Sequence, residues 1–448
     1  MFLLITGSLF FYAFTSIPGL LILLGLILVN YFSGLYIANS PNKNLLLVVS
    51  CGINLSALFI FKYYNFFFSE INSVFALAGM EVNIPMLHWV MPLGISYSVL
   101  QAIGYNTDIQ REMQEPEKNF LVFANYFLFF PKALQGPVDR PRLLMPQFHN
   151  IPSFNYSRVI GGLLLITWGL FKKLVIADRL GIFVNEIYGN SHDYSGSIFL
   201  LAGLFYTFQL YADFSGYMDI AIGTAEILGF TMFRNFNKPF AATSVTDFWK
   251  RWHISLSTWL YEYIFNPISL LKRDWGLWGM GYAIFITFLI SGLWHGASWI
   301  FIFWGMINGI ALGYELVTSK WRKKLFKKLN KNAARNISIA ITFIFTILSF
   351  TFARSNSLED AYYIFTSILN FNSPSSISDS GFVSLNLGLG IAGVVLLLLM
   401  HWWQNMPDWR KVIQEQALLV RWSVYCIAIL IIINFGILSG SGFIYAQF

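Results

Sequence analysis

The stretch Gly292-Leu293-Trp294-His295-Gly296-Ala297-Ser298-Trp299 carries one ionisable side chain, His295, between apolar runs at 282–293 and 299–316. Runs of that composition belong in a lipid bilayer. An ionisable group at membrane depth is expensive and is kept where it faces a water-filled cavity or a partner, so it marks a functional path. Gly292 and Gly296 have no side chains, which lets another helix or a substrate come close to the histidine.

The rest of the chain has the same character. Of 448 residues, 56% are hydrophobic, 18% aromatic and 11% charged, with a mean hydropathy of +0.59. Soluble chains carry charge on about 25% of residues, so this balance describes an integral membrane protein. Further apolar runs lie at 19–38, 45–68, 337–352, 385–400 and 424–438. A spanning helix needs about 20 apolar residues, and several runs are shorter. Short runs predict tilted, broken or re-entrant helices lining a cavity beside ordinary spans, roughly ten to thirteen membrane segments in all. The expected fold is all-α, a multi-pass helical bundle, with no tract that reads as a water-soluble catalytic domain and no fixed repeat. The opening Met1-Phe2-Leu3-Leu4 lacks a basic region and a cleavage site, and reads as a retained membrane segment.

The net charge is +7. Its placement argues against nucleic acid. Residues 320–335 hold Lys320, Arg322, Lys323, Lys324, Lys327, Lys328, Lys331 and Arg335 without an acid, and the positive-inside rule puts that block in the cytoplasm. A topology signal in contact with anionic lipid accounts for it. From there 337–352 runs outward to a polar stretch at 354–380, where Arg354 stands against Glu359, Asp360 and Asp379. The run at 385–400 returns to a loop with Arg410, Lys411 and Arg421, and 424–438 crosses out again. Backward from the block, 299–316 descends to it and 282–293 rises from Lys272-Arg273, leaving His295 at the turn between them. At 1.5 Å per residue the rising arm is too short for a hydrocarbon core of about 30 Å, which predicts a turn within the membrane or its outer half. Cys51 and Cys426 lie in separate apolar segments and suggest no metal, redox pair or disulfide.

A second histidine stands in the stretch Asp247-Phe248-Trp249-Lys250-Arg251-Trp252-His253-Ile254-Ser255-Leu256-Ser257-Thr258-Trp259. Lys250 and Arg251 point to the cytoplasmic interface, and the tryptophans suit an interfacial or re-entrant helix. Either this is the mouth where a phosphate-bearing or acidic carrier enters, with His253 lining the way, or it is an aromatic belt with snorkelling cations. Upstream, Asp213 and Asp219 lie in an otherwise apolar run. Their spacing of six does not put them on one helical face, so they read as separate structural anchors for arginines and aromatic hydroxyls. Pro131 to Arg140, broken by Pro137 and Gly136, reads as a re-entrant turn. For His295 two roles stand side by side. A neutral imidazole bridges helices well by hydrogen bonding, and burial that favours the neutral form equally suits a general base. No Ser-His-Asp order, HExxH, Walker motif or cysteine pair competes with it.

Several stretches together resemble one family, the membrane-bound O-acyltransferases, and its bacterial branch typified by the alginate O-acetyltransferase membrane subunit. They are Pro92-Leu93-Gly94-Ile95-Ser96-Tyr97, Phe130-Pro131 onward to Arg140, Tyr211-Ala212-Asp213-Phe214-Ser215-Gly216-Tyr217, Asn235-Phe236-Asn237-Lys238-Pro239-Phe240, Asp247 to Trp259, Gly292 to Trp299, and the terminal Phe443-Ile444-Tyr445. Their order and spacing are more specific than any one of them. The resemblance implies a multi-helix fold enclosing a tunnel, in a single membrane domain over 1–448. Within it fall N-terminal helices at 1–90, a motif core at 91–317, a basic cytoplasmic loop at 318–336 and C-terminal helices at 337–448. It makes His295 the catalytic residue and His253 its support at the donor entrance. Trp294, Ser298, Asn308, Trp252, Lys250, Arg251 and Asp213 are candidates for the tunnel or its support, with Ser298 and Asn308 available to an oxyanion.

The resemblance further implies no bound cofactor or metal. The acyl donor is acetyl-CoA or an acyl-carrier thioester, and the setting is a bacterial inner membrane. The partners it suggests are the lipid bilayer, a separate extracytoplasmic acyltransferase of the SGNH-hydrolase kind and an acyl-carrier protein, but not nucleic acid. The expected activity is O-acetylation of a cell-wall or exported polysaccharide, with D-alanyl transfer to teichoic acids as the alternative within the family. Outside the family, a transporter or flippase and a non-catalytic scaffold stay open. There are departures: the chain begins one helix later than is typical, Asn308 stands where many relatives have a second histidine, and Tyr261-Glu262 replaces an Arg-Asp pair.

Overall fold

A computed structural model describes residues 1–134, 136–150, 152–369, 381–403, 408–438 and 442–444. Among these the chain is helical, with no strand. Eight helices are long and apolar enough to cross a membrane, and Phe2–Thr15, Phe120–Lys132 and Asn386–Met400 are shorter apolar ones. Among the described residues the eight spans alone are fewer than the ten to thirteen segments expected, and the range is reached only if the short apolar helices are counted with them. Two spans, Tyr156–Gly189 and Ile198–Leu228, were not singled out by hydrophobic runs because lysines and aspartates interrupt them. Those charges pair with one another. Lys172 meets Asp219 at 2.7 Å, and Lys173 meets Asp213 at 2.7 Å and Asp178 at 2.8 Å. The anchoring role expected of Asp213 and Asp219 is therefore met, but by lysines rather than arginines or aromatic hydroxyls.

The chain forms two compact units, Met1–Phe154 with Leu228–Phe233, and Asn155–Ile227 with Arg234–Phe448. In the first, a buried amide cluster ties three helices, Ile17–Asn39, Lys43–Leu58 and Ile95–Gln110. Asn30 and Asn54 exchange side-chain bonds at 2.9 and 3.0 Å, and Asn106 donates to Asn30 and to Ser50, each at 2.8 Å. In apolar surroundings an amide without partners is costly, so the cluster fixes which faces of these helices meet. The segment expected to be re-entrant breaks into a short turn at Phe130–Lys132, an irregular stretch at 136–140 and the helix Pro141–Phe148. Gln135 lies outside the described residues.

In the second unit the helix Leu277–His295 turns through extended Gly296 into Trp299–Phe326. Here the structure corrects the sequence reading. The rising arm begins at Leu277, not Tyr282, because helix continues through Gly279, whose backbone packs against the Lys272 carbonyl. Nineteen residues reach about 28 Å at 1.5 Å each, close to the core thickness of about 30 Å, and make a candidate span. His295 thus closes a full-length helix. The expected basic loop at 318–336 is also mostly helix, since Trp299–Phe326 and Lys331–Arg354 leave only 327–330 between them. Lysine and arginine are good helix formers, and cations suit a helix C-terminus.

The two arms of the hairpin touch backbone to backbone. A Cβ built on Gly292 would lie 2.2 Å from the Phe301 carbonyl oxygen and 3.1 Å from Gly305 Cα. We expect Gly292→Ala to force the arms apart and cost about 1–3 kcal/mol, seen as a lower unfolding temperature of the detergent-purified protein. An unchanged temperature would mean the arms are not held this closely.

Candidate active site

His253 sits at the start of the helix Ile254–Leu260 in the left-handed region, at φ 46° and ψ 51°. For a residue with a Cβ that conformation is uncommon, and it persists only where surroundings impose it. Asn235 imposes it. Its carbonyl accepts the Ile254 N–H at 3.0 Å, its side-chain oxygen accepts the Ser255 N–H at 2.9 Å, and Asn237 N–H reaches the Arg251 carbonyl at 2.9 Å. Asn235 was visible in the sequence as part of a motif, but a clamp made largely through backbone bonds leaves no mark in residue spacing.

The two histidines come together around Trp294. The Trp294 ring lies 5.1 Å from His295 and 6.1 Å from His253, and Trp304 meets His295 edge to face at 5.1 Å. Phe214 packs on His253 at 4.8 Å. Both imidazoles are buried and both line one cavity of about 700 Å³. Its walls are chiefly apolar, and it extends from the histidines past Thr287 and Ser291 to Glu315, Ser319 and Arg322, with Lys250 also on its wall. Since Arg322 belongs to the basic block, the cavity runs from the histidines toward the cationic end of the hairpin.

The other candidates divide. Lys250 lines the cavity, while Arg251 is not on its wall and pairs with Asp247 at 2.8 Å. Burial pushes the Asp247 carboxyl up, but Arg251 and the Thr243 N–H together hold it below the usual carboxylate range. Trp252 is core, stacked on Phe248 and packed against Phe236 and Phe350. Asn308 donates to the Trp304 carbonyl at 2.9 Å and to Ser349 Oγ at 3.0 Å, which makes it a tie between helices. Ser298 lines a different cavity. Asp213 accepts from Lys173 and from the Ile444 N–H, at 2.9 Å, and serves the packing of the chain end. Tyr445 lies outside the described residues. Neither Ser298 nor Asn308 is on the wall that carries the histidines.

Glu315 was not foreseen. It is buried, yet its two oxygens accept the Val245 N–H at 2.8 Å, the Thr246 N–H at 2.9 Å and the Thr246 hydroxyl at 2.8 Å, capping the helix Val245–Trp249. The cap holds the stretch leading to His253 against the hairpin. Glu315→Gln exchanges one acceptor oxygen for a donor facing a donor, and we expect it to cost about 1–3 kcal/mol, read as a fall in unfolding temperature. A variant as stable as the parent would remove the cap from the account.

The family model described as MBOAT, membrane-bound O-acyltransferase family, matches residues 107–358, which include both histidines. A peptidoglycan O-acetyltransferase of Helicobacter pylori is 34% identical over 405 residues, covering 82% of this chain and 73% of the relative. A probable alginate O-acetylase AlgI of Pseudomonas putida is 33% identical over 374 residues, 82% of this chain and 74% of the relative. A teichoic acid D-alanyltransferase of Bacillus subtilis is 29% identical over 270 residues, 58% and 67% of the two chains.

Proposed function

The chain belongs to the membrane-bound O-acyltransferase family, and from that premise we propose that it passes acetyl groups from a cytoplasmic thioester across the membrane for O-acetylation of a cell-wall or exported polysaccharide. The observation that carries the proposal is the single cavity that joins His253 and His295 to the cationic end of the hairpin. A thioester, from acetyl-CoA or an acyl carrier protein, enters at that end, where Lys250 and Arg322 meet its anionic part. Its short acyl group and apolar stem follow the apolar wall to His295.

At His295 the imidazole takes the proton from the attacking hydroxyl as its oxygen bonds to the thioester carbonyl. The tetrahedral intermediate carries its charge on the former carbonyl oxygen. Collapse breaks the carbon–sulfur bond, and the imidazolium returns the proton to the departing thiolate, so that ester and free thiol leave. His253, fixed by Asn235 and Trp294, shapes the donor side. A separate extracytoplasmic acyltransferase of the SGNH-hydrolase kind then places the acyl group on the polymer. The chain works in this scheme as a multi-pass protein of a bacterial inner membrane.

Acetyl is preferred to D-alanyl because the acetyl-transferring relatives align over more of the chain at higher identity. Purified protein supplied in turn with radiolabelled acetyl-CoA and with a D-alanyl carrier thioester separates the two. Consumption of acetyl-CoA is expected, and consumption of the D-alanyl thioester alone would overturn the acetyl reading.

A further inference from the structure

Of the two indoles against His295, Trp304 has no part in the wall of the donor cavity. It meets the imidazole at 5.1 Å with the ring planes at 90°, and it is buried. Among the described residues that line the cavity of about 700 Å³ it is absent, so it touches the histidine from outside that wall.

Several contacts fix the ring. Trp249 packs against it edge to face at 5.7 Å and is itself backed by Phe288 at 5.4 Å. The Trp304 carbonyl accepts from Asn308, which also ties to Ser349. The next residue is Gly305, where a Cβ would lie 2.4 Å from the Phe288 carbonyl oxygen. That close approach of the two arms brings the indole of the second onto the residue that closes the first.

A hydrocarbon side chain would also fill this space. Indole adds an N–H, and a buried indole N–H ordinarily finds an acceptor. Nε1 of Trp304 is buried and has no hydrogen-bond partner among the described residues. An unsatisfied buried donor destabilises the fold, so packing alone does not account for indole at this position. What indole offers beyond phenylalanine or leucine is the most negative ring face, which attracts a cation within about 6 Å of its centre. A neutral imidazole gains little from that face. The imidazolium formed when the attacking hydroxyl gives up its proton gains more, because burial leaves it little water.

We propose that Trp304 is a positioning residue for acyl transfer: its face holds the His295 ring and stabilises the imidazolium, an interaction stronger in the transition state than in the resting protein. This role rests on the acyltransferase reading above.

The test uses the full chain with the residue at 304 supplied through a suppressor tRNA as tryptophan carrying one, two, three or four ring fluorines. Each fluorine draws charge from the face and leaves the shape nearly unchanged, so packing is kept while the attraction falls. The saturating single-turnover rate of transfer from labelled acetyl-CoA is expected to fall stepwise, its logarithm in proportion to the number of fluorines. At four fluorines the rate should lie about 3–30-fold below the parent's, the range of a cation–π contact. KM for acetyl-CoA is expected to stay within about twofold of the parent's, since Trp304 does not face the donor, and each variant to unfold at the parent's temperature. Trp304→Phe, with a weaker face, should fall between the parent and the tetrafluoro form. A rate independent of fluorine number, a loss that falls on KM, or a loss that follows the unfolding temperature would each overturn the role. A parent chain that consumes no acetyl-CoA refutes the acyltransferase reading and the role with it, whereas an active parent with a flat fluorine series refutes the role alone.

Discussion

His295→Ala is expected to slow acetyl transfer from a thioester by about 10²–10⁴-fold, the usual contribution of a positioned general base. The imidazole closes a full-length helix, is held between Trp294 and Trp304, and faces the same cavity as His253. Asn308 is committed to Trp304 and Ser349 and offers no base in its place. Loss of activity through misfolding is separated by His295→Gln, which keeps much of the side-chain volume and a donor. That variant should unfold at the parent's temperature and remain as inactive as the alanine. Single-turnover transfer with labelled acetyl-CoA reads the rate, and a His295→Ala rate within threefold of the parent would remove the base assignment.

The second large effect is on folding. Lys173 lies between Asp213 and Asp178, all three buried, and it also reaches the Gly442 carbonyl at 3.3 Å and lies 4.8 Å from the Phe443 ring centre. Lys173→Met would leave two buried carboxylates facing each other without a cation. Removing one partner of a buried pair costs about 3–5 kcal/mol, because the remaining charge is uncompensated. We expect a lower yield of folded protein and an unfolding temperature well below the parent's. Adding Asp213→Asn to Lys173→Met removes one of those charges and should restore part of the loss. If Lys173→Met unfolds like the parent, or the double variant is no better than the single, the charge explanation is wrong and the lysine acts only by its bulk.

The membrane class, the helical fold and the hairpin around His295 were legible because each rests on composition and short spacing. Apolar runs flanking Gly292 to Trp299 have one physical reading, and the basic residues at 320–335 orient the helices by charge. Motif resemblance carried His253 to the same site, and the structure brings the two imidazoles to one cavity. The interrupted spans Tyr156–Gly189 and Ile198–Leu228 were hidden for the opposite reason. Their lysines and aspartates look costly in a linear reading and become tolerable only when Lys172 meets Asp219 and Lys173 meets Asp213, 47 and 40 residues away respectively along the chain.

Asn235 and Glu315 were missed because both act through backbone N–H and C=O groups of distant segments, which have no sequence signature. Ser298 shows what spacing along the chain leaves open. Three residues from His295, it seemed available to the reacting carbonyl, yet the extended backbone at Gly296 carries it to the wall of the other cavity.

On the proposed route a thioester reaches His295 from the basic face of the protein. It is tested most directly in sealed proteoliposomes sorted by the orientation of the hairpin tip at 327–330, with labelled acetyl-CoA added outside. Donor consumption is expected when the tip faces the added acetyl-CoA, little when it faces the lumen, and a fall of about 10²–10⁴-fold in His295→Ala. Equal consumption in both orientations, or consumption that survives the loss of His295, would contradict it.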